Sequence, residues 1–117
     1  MKFVNLTAHK ICIISSRGEV ESFDPSGQIV RLSQDDPAIT YVDGYIVSKP
    51  GEYIGIEPDW LMNPEHETIY IVSNPVAAFV KRKDVWAPDT NPESCIRDEF
   101  GQVIGVKRFC CYAVSSR

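Results

Sequence analysis

The chain has 117 residues, of which 44% are hydrophobic and 24% charged, and its formal net charge is −4. That length suits one domain with a core of its own, and the acidic balance argues against coating long nucleic acid with a broad basic face. No apolar run approaches the roughly 18 residues of a membrane span. At the start of the chain, polar Asn5, Thr7 and His9 interrupt any signal-like apolar stretch. A cytoplasmic protein with no membrane partner is the expectation.

Residues 2–15 alternate, with Val4, Leu6 and Ala8 on one face and Asn5, Thr7 and His9 on the other, before Ile11–Ile14 turns fully apolar. This predicts one long first strand. Ser15–Gly18 reads as a turn and Glu19–Phe23 as the partner strand of a hairpin. Asp24-Pro25-Ser26-Gly27 is a turn, Ile29–Leu32 a short strand, and Asp35-Asp36-Pro37 a break. Ala38–Val42 and Tyr45–Ser48 flank Asp43-Gly44, a strong hairpin signal. Tyr53–Ile56 reads as a further strand. Glu57–Glu67 reads as a loop with one helical turn around Trp60–Met62.

Ile69–Val72 is apolar, β-branched and aromatic, a buried strand that runs into the chain's one convincing helix, over residues 75–82. Ser73 and Asn74 supply capping oxygens and Pro75 fits the first helical position. Val76, Phe79 and Val80 fall at i, i+3, i+4 and are expected to face the core, with Lys81, Arg82 and Lys83 at the negative end of the helix dipole. Val85–Glu93 carries two prolines and reads as an ordered loop. Cys95–Arg97 and Val103–Tyr112 form a last hairpin. The predicted fold class is therefore α+β: a β-rich single domain, residues 1–117, of about eight short, mostly antiparallel strands and one short helix.

Several places could carry chemistry, each with a plainer account beside it. Asn5, Thr7 and His9 could converge on a ligand, or His9 could act as a general base with Thr7 as partner. They could equally be a solvated face, or bond into a neighbouring loop. The Asn5-Leu6-Thr7 sequon reads as accidental in a cytoplasmic chain. Ser73 and Asn74 open a helix whose start could hold a phosphate, or they are caps alone. Lys81, Arg82 and Lys83 could grip phosphates while Phe79 or Trp86 stacks on a base. The plainer account is a solvated helix end with Phe79 in the core, and it fits Arg82 least well. Asp89, Thr90 and Arg97 lie where irregular ordered backbone gathers polar groups. Arg97 could clamp Asp84, Asp89 or Asp98, or present its fork to a phosphate.

Metal and cofactor chemistry find no support. The four cysteines, at 12, 95, 110 and 111, include no C-x-x-C pair and read as free thiols. Glu65-His66-Glu67 lacks ligand spacing, and neither G-x-S-x-G, a P-loop nor a dinucleotide fingerprint occurs. No catalytic residue is assigned.

Four stretches together carry a family resemblance. They are Val4-Asn5-Leu6-Thr7-Ala8-His9-Lys10-Ile11; Pro25-Ser26-Gly27 with Arg31; Tyr70-Ile71-Val72-Ser73-Asn74-Pro75-Val76-Ala77; and Arg82-Lys83-Asp84-Val85-Trp86-Ala87-Pro88-Asp89-Thr90 with the hairpin Arg97–Val106. The chain resembles a family of small proteins encoded mainly by phages and bacteria, and the matches leave 33–67 unassigned. It is also similar to the Thoeris anti-defence class of phage proteins, which sequester cyclic ADP-ribose signals made by bacterial TIR enzymes. That resemblance implies a homo-oligomer in the infected cell that holds a small nucleotide-derived ligand, such as a cyclic ADP-ribose isomer or a cyclic oligonucleotide, without cleaving it. Arg forks (Arg82, Arg97, Arg108) and aromatic stacks (Phe79, Phe109) would hold the ligand. The expected ligand-binding set is Asn5, Thr7, His9, Ser73, Asn74, Arg82, Asp89, Thr90, Arg97 and Arg108. The alternatives are a nucleotide-degrading enzyme with His9 as base, and a protein-interaction module that inhibits a host protein through Trp60.

Overall fold

The buried run predicted at the centre of the chain is the strand on which the first sheet is built. A computed structural model describes residues 1–59 and 64–113. The helical turn expected around Trp60–Met62, and with it the Trp60 anchor, lies outside the described residues. Twelve strands and one helix occur among those described, in the order β1 (Lys2–Asn5), β2 (Ile11–Ile14), β3 (Val20–Phe23), β4 (Arg31–Gln34), β5 (Ala38–Val42), β6 (Tyr45–Lys49), β7 (Tyr53–Glu57), β8 (Thr68–Ile71), α1 (Asn74–Val80), β9 (Val85–Pro88), β10 (Cys95–Arg97), β11 (Val103–Val106) and β12 (Phe109–Cys110).

β8 is buried at every position and sits between β1 and β9, parallel to both. Burial on both faces is what a continuous apolar strand such as Ile69-Tyr70-Ile71 requires. Antiparallel β12 completes the four-stranded sheet β1-β8-β9-β12. A second sheet runs β10-β11-β2-β3, and two-stranded ladders join β4 to β7 and β5 to β6. The fold is β-rich, as expected, with strands of mixed parallel and antiparallel direction.

The core gathers Leu6, Val30, Ile56, Tyr70, Val72, Val76, Ala77, Val85 and Ala87, with Val4, Leu32, Val80 and Cys110 packed against it. Each fully buried aliphatic side chain among them contributes about 1.5–3 kcal/mol. A second cluster is aromatic. Phe3, Phe23, Trp86 and Phe109 lie with ring centroids 5.1–6.1 Å apart and tie the first sheet to β3 of the second. Trp86 is therefore packed among rings, and its indole N–H donates to the Lys83 carbonyl at 3.0 Å.

Four expectations are corrected. The long first strand is two strands in different sheets, parted by a turn over residues 6–10. Val85–Pro88 is a strand, not a loop. Proline is tolerated at its end, where β12 pairs only at Pro88 and Ala87. The helix covers Asn74–Val80 rather than 75–82, because Lys81 takes the left-handed conformation (φ 52°) and caps it with an N–H to the Ala77 carbonyl. The lysines and Arg82 thus fall outside the last helical turn. Its buried stripe is Val76, Ala77 and half-buried Val80, so Phe79 stands 43% exposed rather than in the core.

Candidate functional site

The polar residues of the first strand organise a turn. Asn5 is 2% exposed. Its Nδ2 donates to the carbonyls of His9 (2.8 Å) and Phe23 (2.9 Å), while Oδ1 accepts the Thr7 N–H (2.9 Å) and hydroxyl (2.7 Å). Both ends of the amide are consumed, which is how an Asx turn replaces a strand ladder. Asn5 is therefore a scaffold residue, facing inward rather than toward a ligand. Thr7 Oγ1 also lies 2.9 Å from the His9 carbonyl oxygen and 3.4 Å from its N–H. These contacts engage the His9 backbone, so Thr7 is not the partner of the imidazole. The His9 side chain is exposed at the edge of the turn.

This turn forms one wall of a groove of about 420 Å³. The Leu6 carbonyl accepts from Val30, and the Asn5 carbonyl from Ser26, so the Pro25-Ser26-Gly27 turn and the start of β4 run alongside the Asn5–His9 segment. Leu6 in turn donates to the Ile71 carbonyl, placing Ser73 and Pro75 on the opposite wall. Three stretches far apart in sequence, Leu6–His9, Ile29–Leu32 and Ser73–Val76, thus line one concavity, together with Tyr53 of β7. Thr7, His9 and Ser73, three of the expected set, all line this concavity. Arg31 and Tyr53 were absent from the expected set. Arg31 stood in a motif but read as part of a short strand, and only the β4–β7 pairing brings Tyr53 to this side.

The electrostatics of the groove are one-sided. Among its described lining residues Arg31 is a permanent cation and His9 contributes an imidazole, and none is a carboxylate. The Arg31 guanidinium makes no ion pair or hydrogen bond among the described residues. Arginine presents a flat fork of donors suited to phosphate oxygens, and Tyr53, at the other end of the β4–β7 ladder, adds a half-exposed ring to the lining. Against a net charge of −4, a groove free of acidic groups is a local reversal of the chain's charge.

The remaining expected residues form other assemblies. Asn74 donates from Nδ2 to the Pro88 carbonyl (2.9 Å), and its Oδ1 accepts from the Cys110 thiol (3.1 Å) and the Tyr112 hydroxyl (3.2 Å). It pins α1 to β9 and the C-terminal segment instead of capping the helix. Neither does Ser73 make a side-chain cap bond. Burial pushes the Cys110 thiol up, so it stays protonated near neutrality. Asp89 and Thr90 sit beside Asn74, Cys110 and Tyr112 around a second concavity of about 460 Å³.

Asp89 is held by Arg108 Nε and by the Asn91 N–H at 3.0 Å. Arg108, expected as a ligand fork, thus closes a structural pair, with Glu93 4.0 Å away. Arg82 forks onto Asp84 at 2.9 and 2.7 Å, so its guanidinium also clamps a turn. Arg97 donates to the Gly101 carbonyl at 2.6 Å across its own hairpin. It does not join the groove, and of its two readings the clamp to Asp84, Asp89 or Asp98 is absent among the described residues. No cluster of metal-ligating side chains occurs among the described residues.

Compared with protein-family models, with curated proteins and with solved structures, the chain matches none. The groove must therefore be read from its own chemistry.

Proposed function

We propose that this chain is a non-catalytic binding protein that sequesters a small anionic, nucleotide-derived signal in the Leu6–His9/Arg31/Ser73 groove. The carrying observation is the lining itself: an arginine fork and a histidine, apolar walls from Ile29, Val30 and Val76, a tyrosine ring, and no carboxylate among the described residues. A phosphate would meet Arg31, and the Ser73 hydroxyl and the His9 ring would supply further polar contacts. The flat part of the ligand would lie against Tyr53 and the aliphatic wall. The volume suits a ligand of dinucleotide scale or smaller. The resemblance to phage anti-defence proteins points the same way, and gives cyclic ADP-ribose isomers and cyclic oligonucleotides as the ligands to try first.

A nucleotide-degrading enzyme using His9 as base is the second reading. The Thr7 contacts favour sequestration over it, because the hydroxyl that would orient the imidazole is spent on the Asn5 side-chain oxygen and the His9 backbone. Thermal unfolding with a panel of these ligands separates the two. Sequestration predicts a raised Tm through binding to the native state, and intact ligand after heating. No shift across the panel, or a chemically altered ligand, overturns the proposal.

A further inference from the structure

The ribbon that supplies Arg31 and Tyr53 does not end at the groove. Beyond β4 and β7 the chain continues into β5 and β6, which among the described residues pair only with each other. The junction is tight. Gln34 Nε2 donates to the Gly51 carbonyl at 2.6 Å, and the Asp35 N–H to the Glu52 carbonyl at 2.9 Å. The far end is a two-residue turn with φ of 49° at Asp43 and 83° at Gly44. Val30, Leu32 and Ile56 dock the base of the ribbon on the core, whereas every residue of β5 and β6 is exposed. The molecule is accordingly elongated, 56 × 41 × 34 Å with a radius of gyration of 17.1 Å. A compact chain of this length would have a radius of gyration of about 13 Å.

The arm's composition does not suit water. Ile39, Tyr41, Val42, Tyr45, Ile46 and Val47 are 45–74% exposed. The register sets Tyr41 opposite Ile46 and Val42 opposite Tyr45, so both faces of the ribbon are apolar. Between residues 38 and 49 only Asp43 and Lys49 are charged. An isolated two-stranded hairpin is marginally stable in water, and an apolar patch of this size marks an interaction surface.

We propose that this hairpin is an association arm that packs against the same arm of a second copy across a two-fold axis. Two observations select a second copy. Counted over both faces, the exposed apolar side chains offer an area on the order of 800 Å², one partner's share of a standard-size interface when the paired arms wrap each other so that both faces are covered. The arm also carries one acid and one base, so it offers no charge pattern for a strongly charged partner, whereas a nearly neutral apolar ribbon is complementary to itself. The inference stands apart from the ligand groove, and ligand binding neither supports nor removes it.

Sedimentation velocity over a concentration series tests it, with Tyr41→Glu/Tyr45→Glu placing one carboxylate on each face. The wild-type chain should sediment as a dimer at about 50 μM, and the double variant as a monomer with unchanged far-UV circular dichroism. A wild-type monomer throughout overturns the proposal, and so does a variant that still dimerises. So does a wild-type monomer that instead floats with phosphatidylcholine vesicles or retains a host protein. Hydrogen exchange on the wild-type chain supplies a readout free of any variant. Dilution through dissociation should speed exchange within residues 38–49, and unchanged exchange there during dissociation sinks the arm as the interface.

Discussion

The Asp89 carboxylate accepts from the Arg108 guanidinium, joining the end of β9 to the segment that leads into β12. Asp89 is buried and its carboxyl is held below the usual range, first by the Asn91 backbone N–H and then by Arg108. A carboxyl whose folded-state pKa is depressed adds stability that is fully present above its unfolded value, 3.8, and is lost as pH falls through the folded value. Asp89→Asn should therefore lower Tm by about 3–8 °C at neutral pH. The gap to wild type should close in acid. A gap independent of pH would show that the pair contributes by shape rather than charge.

Asn5 makes the second prediction. Its amide bonds two carbonyls, one N–H and one hydroxyl, all within 2.7–2.9 Å. Asn5→Ala leaves those groups unsatisfied in a buried turn and should cost about 2–4 kcal/mol. Asn5→Asp should fail as well, since a carboxylate cannot donate to the His9 and Phe23 carbonyls. Urea midpoints would measure both. A loss under about 0.5 kcal/mol for Asn5→Ala would mean that the turn is held by its backbone alone.

Gly51 stands where a Cβ would lie 2.0 Å from the Asp35 carbonyl oxygen. That neighbour is backbone and cannot swing aside. Gly51→Ala should destabilise the junction between the β4–β7 ladder and the arm by about 1–3 kcal/mol. Gly55→Ala, with open space at its Cβ, is the matched control. Equal Tm values for the two variants would contradict this close approach.

The groove variants bear on binding rather than folding. Arg31→Ala should reduce the ligand-induced rise in Tm, corresponding to a loss in affinity of about 10–100-fold through a charge-assisted hydrogen bond. It should leave the unliganded Tm within about 1 °C, because its guanidinium has no partner among the described residues to lose. Arg108→Ala should do the reverse, lowering the unliganded Tm while sparing ligand affinity. A ligand whose binding ignores Arg31 would place the site elsewhere.

How far these features can be read from residues varies along the chain. Ile69–Val72 is legible as a buried strand because its apolar, β-branched run has no polar face to expose, and β8 is buried throughout. Asp43-Gly44 is legible because few dipeptides accept two positive φ values in succession. Asn5-Leu6-Thr7-Ala8-His9 misleads for a physical reason: alternation describes both a strand face and a turn whose polar side chains bond backbone. Only the contacts of Asn5 with His9 and Phe23 distinguish them.

Local sequence therefore determined the β-rich character, the central strand with its short helix, and the hairpin at Asp43-Gly44, since each follows from the period and conformational limits of neighbouring residues. Tertiary structure alone decided which arginines are committed. Arg82 and Arg108 are neutralised by Asp84 and Asp89, while Arg31 faces a groove without carboxylates. Charge pairing depends on distance in space, and a linear sequence holds no record of which carboxylate each guanidinium will meet.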